Sequence, residues 1–147
     1  MRKARCGLLN IDGEQMNQVE PTGGVALMSI KPQFVEEIVK GTKTFEFRKA
    51  VFKRPVSKVV VYASLPVGKV IGEFTVKEIH QGTPNAIWKT TRLGSGITKS
   101  YFNEYFEGKE NAFAIEIESF TPYEEGIPLK EFAPQLKAPP QSYCYLS

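Results

Sequence analysis

Apolar and polar positions along the chain alternate between two rhythms, one close to two residues and one close to four. Val25-Ala26-Leu27-Met28-Ser29-Ile30 is a short apolar run of strand length, and the Lys31-Pro32 that follows places proline where the first turn of a helix accepts it. In the predicted helix Phe34, Val35, Ile38 and Val39 form one stripe, Glu36 and Lys40 pair four residues apart, and Gly41 supplies the stop. Thr44-Phe45-Glu46-Phe47-Arg48 then alternates strictly, with both phenylalanines on one face and the polar residues on the other. Lys58 to Ala63 reads as a buried strand. Lys69 to Ile79 reads as a longer one in which Gly72 marks a bulge or a close backbone approach, with Pro66-Val67-Gly68 as the turn between them. Thr83-Pro84 opens a helix that runs through Trp88 and ends before Gly94-Ser95-Gly96. Thr98 caps a second helix over Lys99 to Phe106, stopped by Gly108, and Ala112 to Ile117 returns to strand alternation. The proline-rich tail reads as extended loop, with a last short strand between Gln141 and Leu146.

Strands and helices in this order do not alternate regularly, which argues against a doubly wound parallel sheet. The expectation is an α+β fold: a curved, mostly antiparallel sheet or small β-barrel with about three flanking helices. Residues 1–24 lack sustained periodicity and end in the breaker cluster Pro21-Thr22-Gly23-Gly24, so they read as a loosely attached N-terminal extension to a domain over 25–147. A chain of 147 residues fits one core.

Composition adds constraints more than direction. An apolar share of 41% with 24% charged residues is ordinary for a globular protein, and no apolar run approaches a membrane span. The start of the chain turns polar too early for a signal peptide, so a cytoplasmic location is expected. Cys6, Cys144 and the single histidine, His80, lack the spacing of a zinc site, and no metal or cofactor is expected. A net charge of +3 permits contact with phosphates without requiring it.

The chemistry gathers around one strand. Alternation projects Glu46 and Arg48 from the same face, and Lys43 stands at the entry to that strand. Charges this close must pair, face water or meet a polar ligand, because burying one without a partner costs several kcal/mol. Arginine can clamp a phosphate bidentately, lysine can act on it as a point charge, and glutamate can accept from an exocyclic amine or a ribose hydroxyl. A purely structural ion-pair cluster closing one end of the sheet is the competing reading.

Gly41-Thr42-Lys43-Thr44-Phe45-Glu46-Phe47-Arg48 matches the G-x-K-x-x-E-x-R signature of the ASCH family, directly after a strand-helix unit. Ser29-Ile30-Lys31-Pro32, Tyr62 to Val67, Val70 to Phe74 and Pro139 to Leu146 also resemble small prokaryotic ASCH proteins labelled transcriptional regulators, and the resemblance spans about residues 25–146. It implies a PUA-like β-barrel with a cleft beside the motif that binds RNA, a nucleotide or a modified nucleoside. Lys31, Lys43, Glu46, Arg48, Ser64, Gln141, Ser142 and Tyr143 are the candidate binding residues. Some ASCH proteins resemble amidohydrolases that deacylate acetylated cytidine with the motif lysine beside a threonine. Lys43 matches that lysine while Glu46 stands where the threonine would be, so Lys43 and Glu46 are the catalytic pair if the protein is an enzyme of that kind. A ribonuclease using the same acid and base ranks third.

Other conspicuous residues have blander readings. Trp88 and the Tyr101, Phe102, Tyr105, Phe106 series are expected to pack their helices onto the sheet. His80 has no neighbour in sequence that suggests a role, and Gly94-Ser95-Gly96 reads as a flexible loop able to serve as a lid.

Overall fold

A computed structural model of the chain describes residues 23–146. Six strands form one sheet: β1 (Gly24–Ile30), β2 (Phe45–Arg48), β3 (Val56–Ala63), β4 (Lys69–Gly82), β5 (Ala112–Pro128) and β6 (Tyr143–Leu146). Their spatial order is β2-β5-β4-β3-β1-β6. Four of the five pairings are antiparallel, and β1 runs parallel to β3, joined through helix α1 (Pro32–Lys40) and β2. Helices α2 (Pro84–Thr91) and α3 (Lys99–Tyr105) fall between β4 and β5, and a single turn, α4 (Leu129–Phe132), follows β5.

The α+β expectation holds, with one correction to its shape. The sheet is not closed: β2 and β6 lie at its two ends, and no backbone ladder joins them among the described residues. Side chains span the gap instead. The guanidinium of Arg48 on β2 reaches the Ser29 carbonyl on β1 and the Ser142 hydroxyl just before β6. After β2, the amide of Lys53 donates to the Tyr145 hydroxyl at 2.8 Å.

Local signals mark most helix boundaries. Pro32 opens α1, and Gly41 ends it in the left-handed region at φ 87° with its amide turned back to Glu37 and Ile38. Thr83 and Thr98 accept from the third amide of α2 and α3. The tail differs from the extended loop expected of it: β5 continues through Pro122 to Pro128, opposite the outer half of β4. Pro122 is tolerated because it pairs with Gly72 at a register shift, where a Cβ on the glycine would lie 2.7 Å from the Phe120 ring.

Strand alternation divides the core. Met28, Ile30, Val59, Val61, Phe74 and Ile115 meet Val35 and Ile38 of α1 on one face. On the other face Phe47, Ala112 and Ala114 meet Ile87, Phe102 and Phe106 of α2 and α3. Trp88 packs against Phe102 at 5.0 Å between ring centroids, the anchoring role expected of it. Glu46 stands opposite Ile115 in the ladder and so points, with Arg48, to the face covered by α1. Residues 1–22 of the expected extension lie outside the described residues.

Candidate functional site

The tight turn after α1 sets Lys43 directly before β2, and an isolated bridge pairs Lys43 with Ser95. The Lys43 ammonium donates to the Ser95 carbonyl at 2.9 Å and stands 3.9 Å from Oε1 of Glu46. It also lies over the rings of Phe47 and Phe34, 4.7 and 5.4 Å from their centroids. Lys43 is only 2% exposed and Glu46 5%. Burial therefore pushes the Lys43 pKa below its ordinary value, and the adjacent Glu46 carboxylate pulls it back only in part.

Glu46 uses its oxygens unequally. Oε2 accepts from Nε and Nη2 of Arg48 at 3.0 and 2.7 Å, while Oε1 is buried without a hydrogen-bond donor. Nη2 of Arg48 also donates to the Ser29 carbonyl at 2.9 Å, and Nη1 to the Ser142 hydroxyl at 3.1 Å. A guanidinium has five N–H donors. These four bonds leave one, on Nη1, at the outer end of the group beside exposed Ser142.

The cluster is thus graded in depth. Lys43 and Glu46 are internal, Arg48 spans from inside to surface, and Ser142 marks the rim. What covers the lysine is the segment singled out as a lid, and it is tightly docked. The amide of Thr44 donates to the Gly94 carbonyl at 2.8 Å, and the Ser95 hydroxyl bonds within its own turn. A Cβ on Gly96 (φ 67°) would lie 2.4 Å from Cβ of Lys43, so the loop approaches this closely only with glycine there.

The remaining candidates separate into near and far. Lys31 is exposed at the start of α1 and donates to the Tyr101 hydroxyl at 3.5 Å; Tyr101 in turn meets Phe34 edge-on, and the Phe34 ring is one of the two beneath the Lys43 ammonium. Ser142 is held in place by its carbonyl, which accepts from the Ser29 amide at 3.0 Å. Gln141 is exposed beside it. Tyr143 points elsewhere, donating to the Val51 carbonyl at 3.5 Å and packing on Phe52, so it ties β6 to the loop after β2. Ser64 accepts Val67 through its carbonyl and sends its hydroxyl to Ile30, the bonding of a turn.

Four side chains lie outside the expected set: Tyr101, Tyr105, Lys49 and His80. By spacing Tyr101 and Tyr105 form one packing series with Phe102 and Phe106, but only the phenylalanines are buried. The tyrosines are half-buried and turn toward the motif, and Lys49 lies over the Tyr105 ring at 4.6 Å. Desolvation raises the Tyr105 pKa, with Arg48 opposing and Glu46 adding to the rise. The hydroxyls were the available signal, since buried tyrosines need a polar partner and a helix core uses phenylalanine more cheaply. The fourth is His80, whose Nε2 lies 2.8 Å from Glu116 Oε1 and whose Nδ1 lies 4.0 Å from Glu78. Each of the three offers a possible metal-ligand atom within 4.8 Å of the others. Ladder pairing of Glu78 with Glu116 and of His80 with Ala114 brings them together, which no local pattern announces.

The chain matches the ASCH domain family over residues 28–121. It is 33% identical over 124 residues to a protein of Zymomonas mobilis called an ASCH domain-containing ribonuclease, an alignment covering 82% of this chain and 83% of that one. The crystal structure of ASCH from Zymomonas mobilis superposes with a TM-score of 0.77 at 33% identity, covering 84% of this chain and 88% of the other. The N-terminal domain of Staphylothermus marinus McrB shares the fold alone, with a TM-score of 0.50 at 13% identity over 84% of this chain and 87% of that one. With the G-x-K-x-x-E-x-R residues folded into one charged cluster and the family matched across most of the described chain, this protein belongs to the ASCH domain family.

Proposed function

We propose that the protein binds single-stranded RNA at the rim of the Lys43–Glu46–Arg48 cluster. The observation that carries this reading is the graded bonding of Arg48: Glu46 and Ser29 hold three of its donors, and the remaining Nη1 edge faces the exposed Ser142 hydroxyl. A guanidinium held rigid from behind is preorganised for a phosphate, since little rotamer entropy remains to be lost on binding. Lys31 and Lys49, both exposed, stand at Tyr101 and Tyr105 of α3 and add positive charge there. Glu46 acts from beneath by fixing Arg48, and Lys43 stands on the far side of the same carboxylate. The relationship to a protein named as a ribonuclease supports RNA as the polyanion.

A second reading, cleavage of that RNA, is favoured by the Oε1 atom of Glu46. It is a buried acceptor without a donor, next to a lysine whose pKa is lowered, and such a pair can take and return a proton. For this chemistry the Gly94-Ser95-Gly96 segment has to leave Lys43, so the docked loop is the closed state of the site.

Titrating labelled single-stranded RNA at low salt tests both readings. Arg48→Ala should weaken binding by about tenfold or more, in line with the roughly 1.5–3 kcal/mol of a charge-assisted hydrogen bond, and should lower the salt dependence of affinity. Unchanged affinity would remove the rim as the site. Gel analysis of the same mixtures reports cleavage, and incubation with acetylated cytidine, with Lys43→Ala as control, reports deacylation instead.

A further inference from the structure

Helix α3 presents Tyr101 and Tyr105 one turn apart, about 6 Å along its axis at 1.5 Å per residue. The buried phenylalanines beside them fix the helix, with Phe102 at 1% and Phe106 at 2% exposure. The tyrosine rings are thereby held from one side. Phe34 braces Tyr101 edge-on at 5.3 Å, and Phe106 braces Tyr105 edge-on at 4.7 Å. Each ring also carries its own surface lysine, Lys31 at the hydroxyl of Tyr101 and Lys49 over the face of Tyr105. An exposed ammonium resting on a ring marks that face as open to solvent. It is easily displaced, because a cation resting on an exposed ring is held weakly.

We propose that Tyr101 and Tyr105 form a two-ring platform on which consecutive unpaired bases of an RNA strand stack, with Lys31 and Lys49 turning outward to meet the phosphates. The inference rests on the RNA-binding reading above and extends it from the phosphate chain to the bases. The occupant is a single strand, since a duplex keeps its base faces stacked on one another and offers none to a protein ring. Rigid aromatic faces flanked by cations form the common arrangement for single-strand binding without sequence readout. The position of the rings follows from the fold: Lys49, whose ammonium lies 4.6 Å from the centre of the Tyr105 ring, directly follows Arg48 in the chain, so a base on this ring lies close to the phosphate grip of Arg48.

The test compares two labelled probes by fluorescence anisotropy: a short oligoadenylate, and a ribose-phosphate strand of equal length without bases. The wild-type protein is expected to favour the oligoadenylate by about tenfold or more, the scale of stacking on one to two aromatic side chains. Tyr101→Leu with Tyr105→Leu should abolish that preference while keeping the affinity for the base-free strand. Lys31→Ala with Lys49→Ala should weaken both probes alike and flatten the salt dependence. Circular dichroism checks folding; should the double leucine variant unfold, each single variant is expected to lose about threefold or more of the preference. A folded leucine variant that keeps the full preference overturns the platform and leaves RNA binding standing. A wild-type protein that binds neither probe overturns the RNA reading itself, and the platform with it.

Discussion

Two clusters of acids and bases sit on neighbouring strands of the sheet, one on β2 and the other where β4 pairs with β5, and they differ in one respect that decides everything else. Lys43, Glu46 and Arg48 lie on the face covered by α1, with Glu46 5% exposed. Glu78, His80, Glu116 and Lys77 lie at the paired ends of β4 and β5, where Glu116 keeps 24% of its side chain exposed and Lys77 stands 3.9 Å away with 61% exposed. The outer cluster is screened by water, so its pairs are cheap to break. In the inner cluster each charge depends on the others, because removing one partner strands another in a medium that cannot solvate it. The comparison teaches that shared residue chemistry does not give shared energetics; depth does.

The largest expected effect sharpens that contrast directly. Glu46→Ala leaves both Lys43 and Arg48 without their carboxylate and should cost about 3–5 kcal/mol in urea denaturation. Glu116→Gln on the outer face should cost no more than about 1 kcal/mol in the same measurement. Equal losses would abolish the distinction between the clusters. Next in size is the loop over Lys43. Gly96→Ala combines a left-handed backbone, worth about 1 kcal/mol, with a Cβ driven onto Lys43, so it should destabilise by more than that backbone cost alone. It should also free the lysine from the Ser95 carbonyl, which accelerated amide exchange at Thr44 would report.

The smallest effect is a pH dependence. Lys43 titrates lower in the folded protein than the ordinary 10.5, so between those two values the unfolded chain binds the extra proton and stability rises with pH. Below the lowered pKa both states carry the charge and its burial penalty is complete. Tyr105 and Tyr123 are raised, mainly by desolvation, and act in the opposite direction as pH climbs past 10. The Lys43 contribution is therefore read as a difference. The stability of wild type relative to Lys43→Met should increase as pH approaches 10.5, and a flat difference would mean that Lys43 titrates normally.

How far the sequence could be read is visible in particular residues. Pro32, Gly41, Thr83, Thr98 and Gly108 announced their helix boundaries because capping and backbone conformation are properties of a few adjacent residues. Glu46 and Arg48 shared a face for the same reason, since strand alternation is local. Pro122 inside β5 was not legible, because what permits it is the glycine opposite on β4. Neither was the partnership of Arg48 with Ser142, 94 positions away, nor that of Lys43 with a carbonyl 52 positions away. Backbone acceptors such as Ser29 and Ser95 carry no sequence signal at all, since every residue has one.

By itself, then, the amino-acid order determined the local elements, the family signature and the one-sided placement of an acid and a base on β2. Only the tertiary structure decided that the sheet stays open with Arg48 spanning its gap, that Lys43 and Glu46 are buried beneath a glycine-bearing loop, and that two tyrosines of α3 stand beside them. The physical reason is that dihedral preference and periodicity act over a few residues, whereas desolvation and charge pairing depend on which distant segments the fold brings into contact.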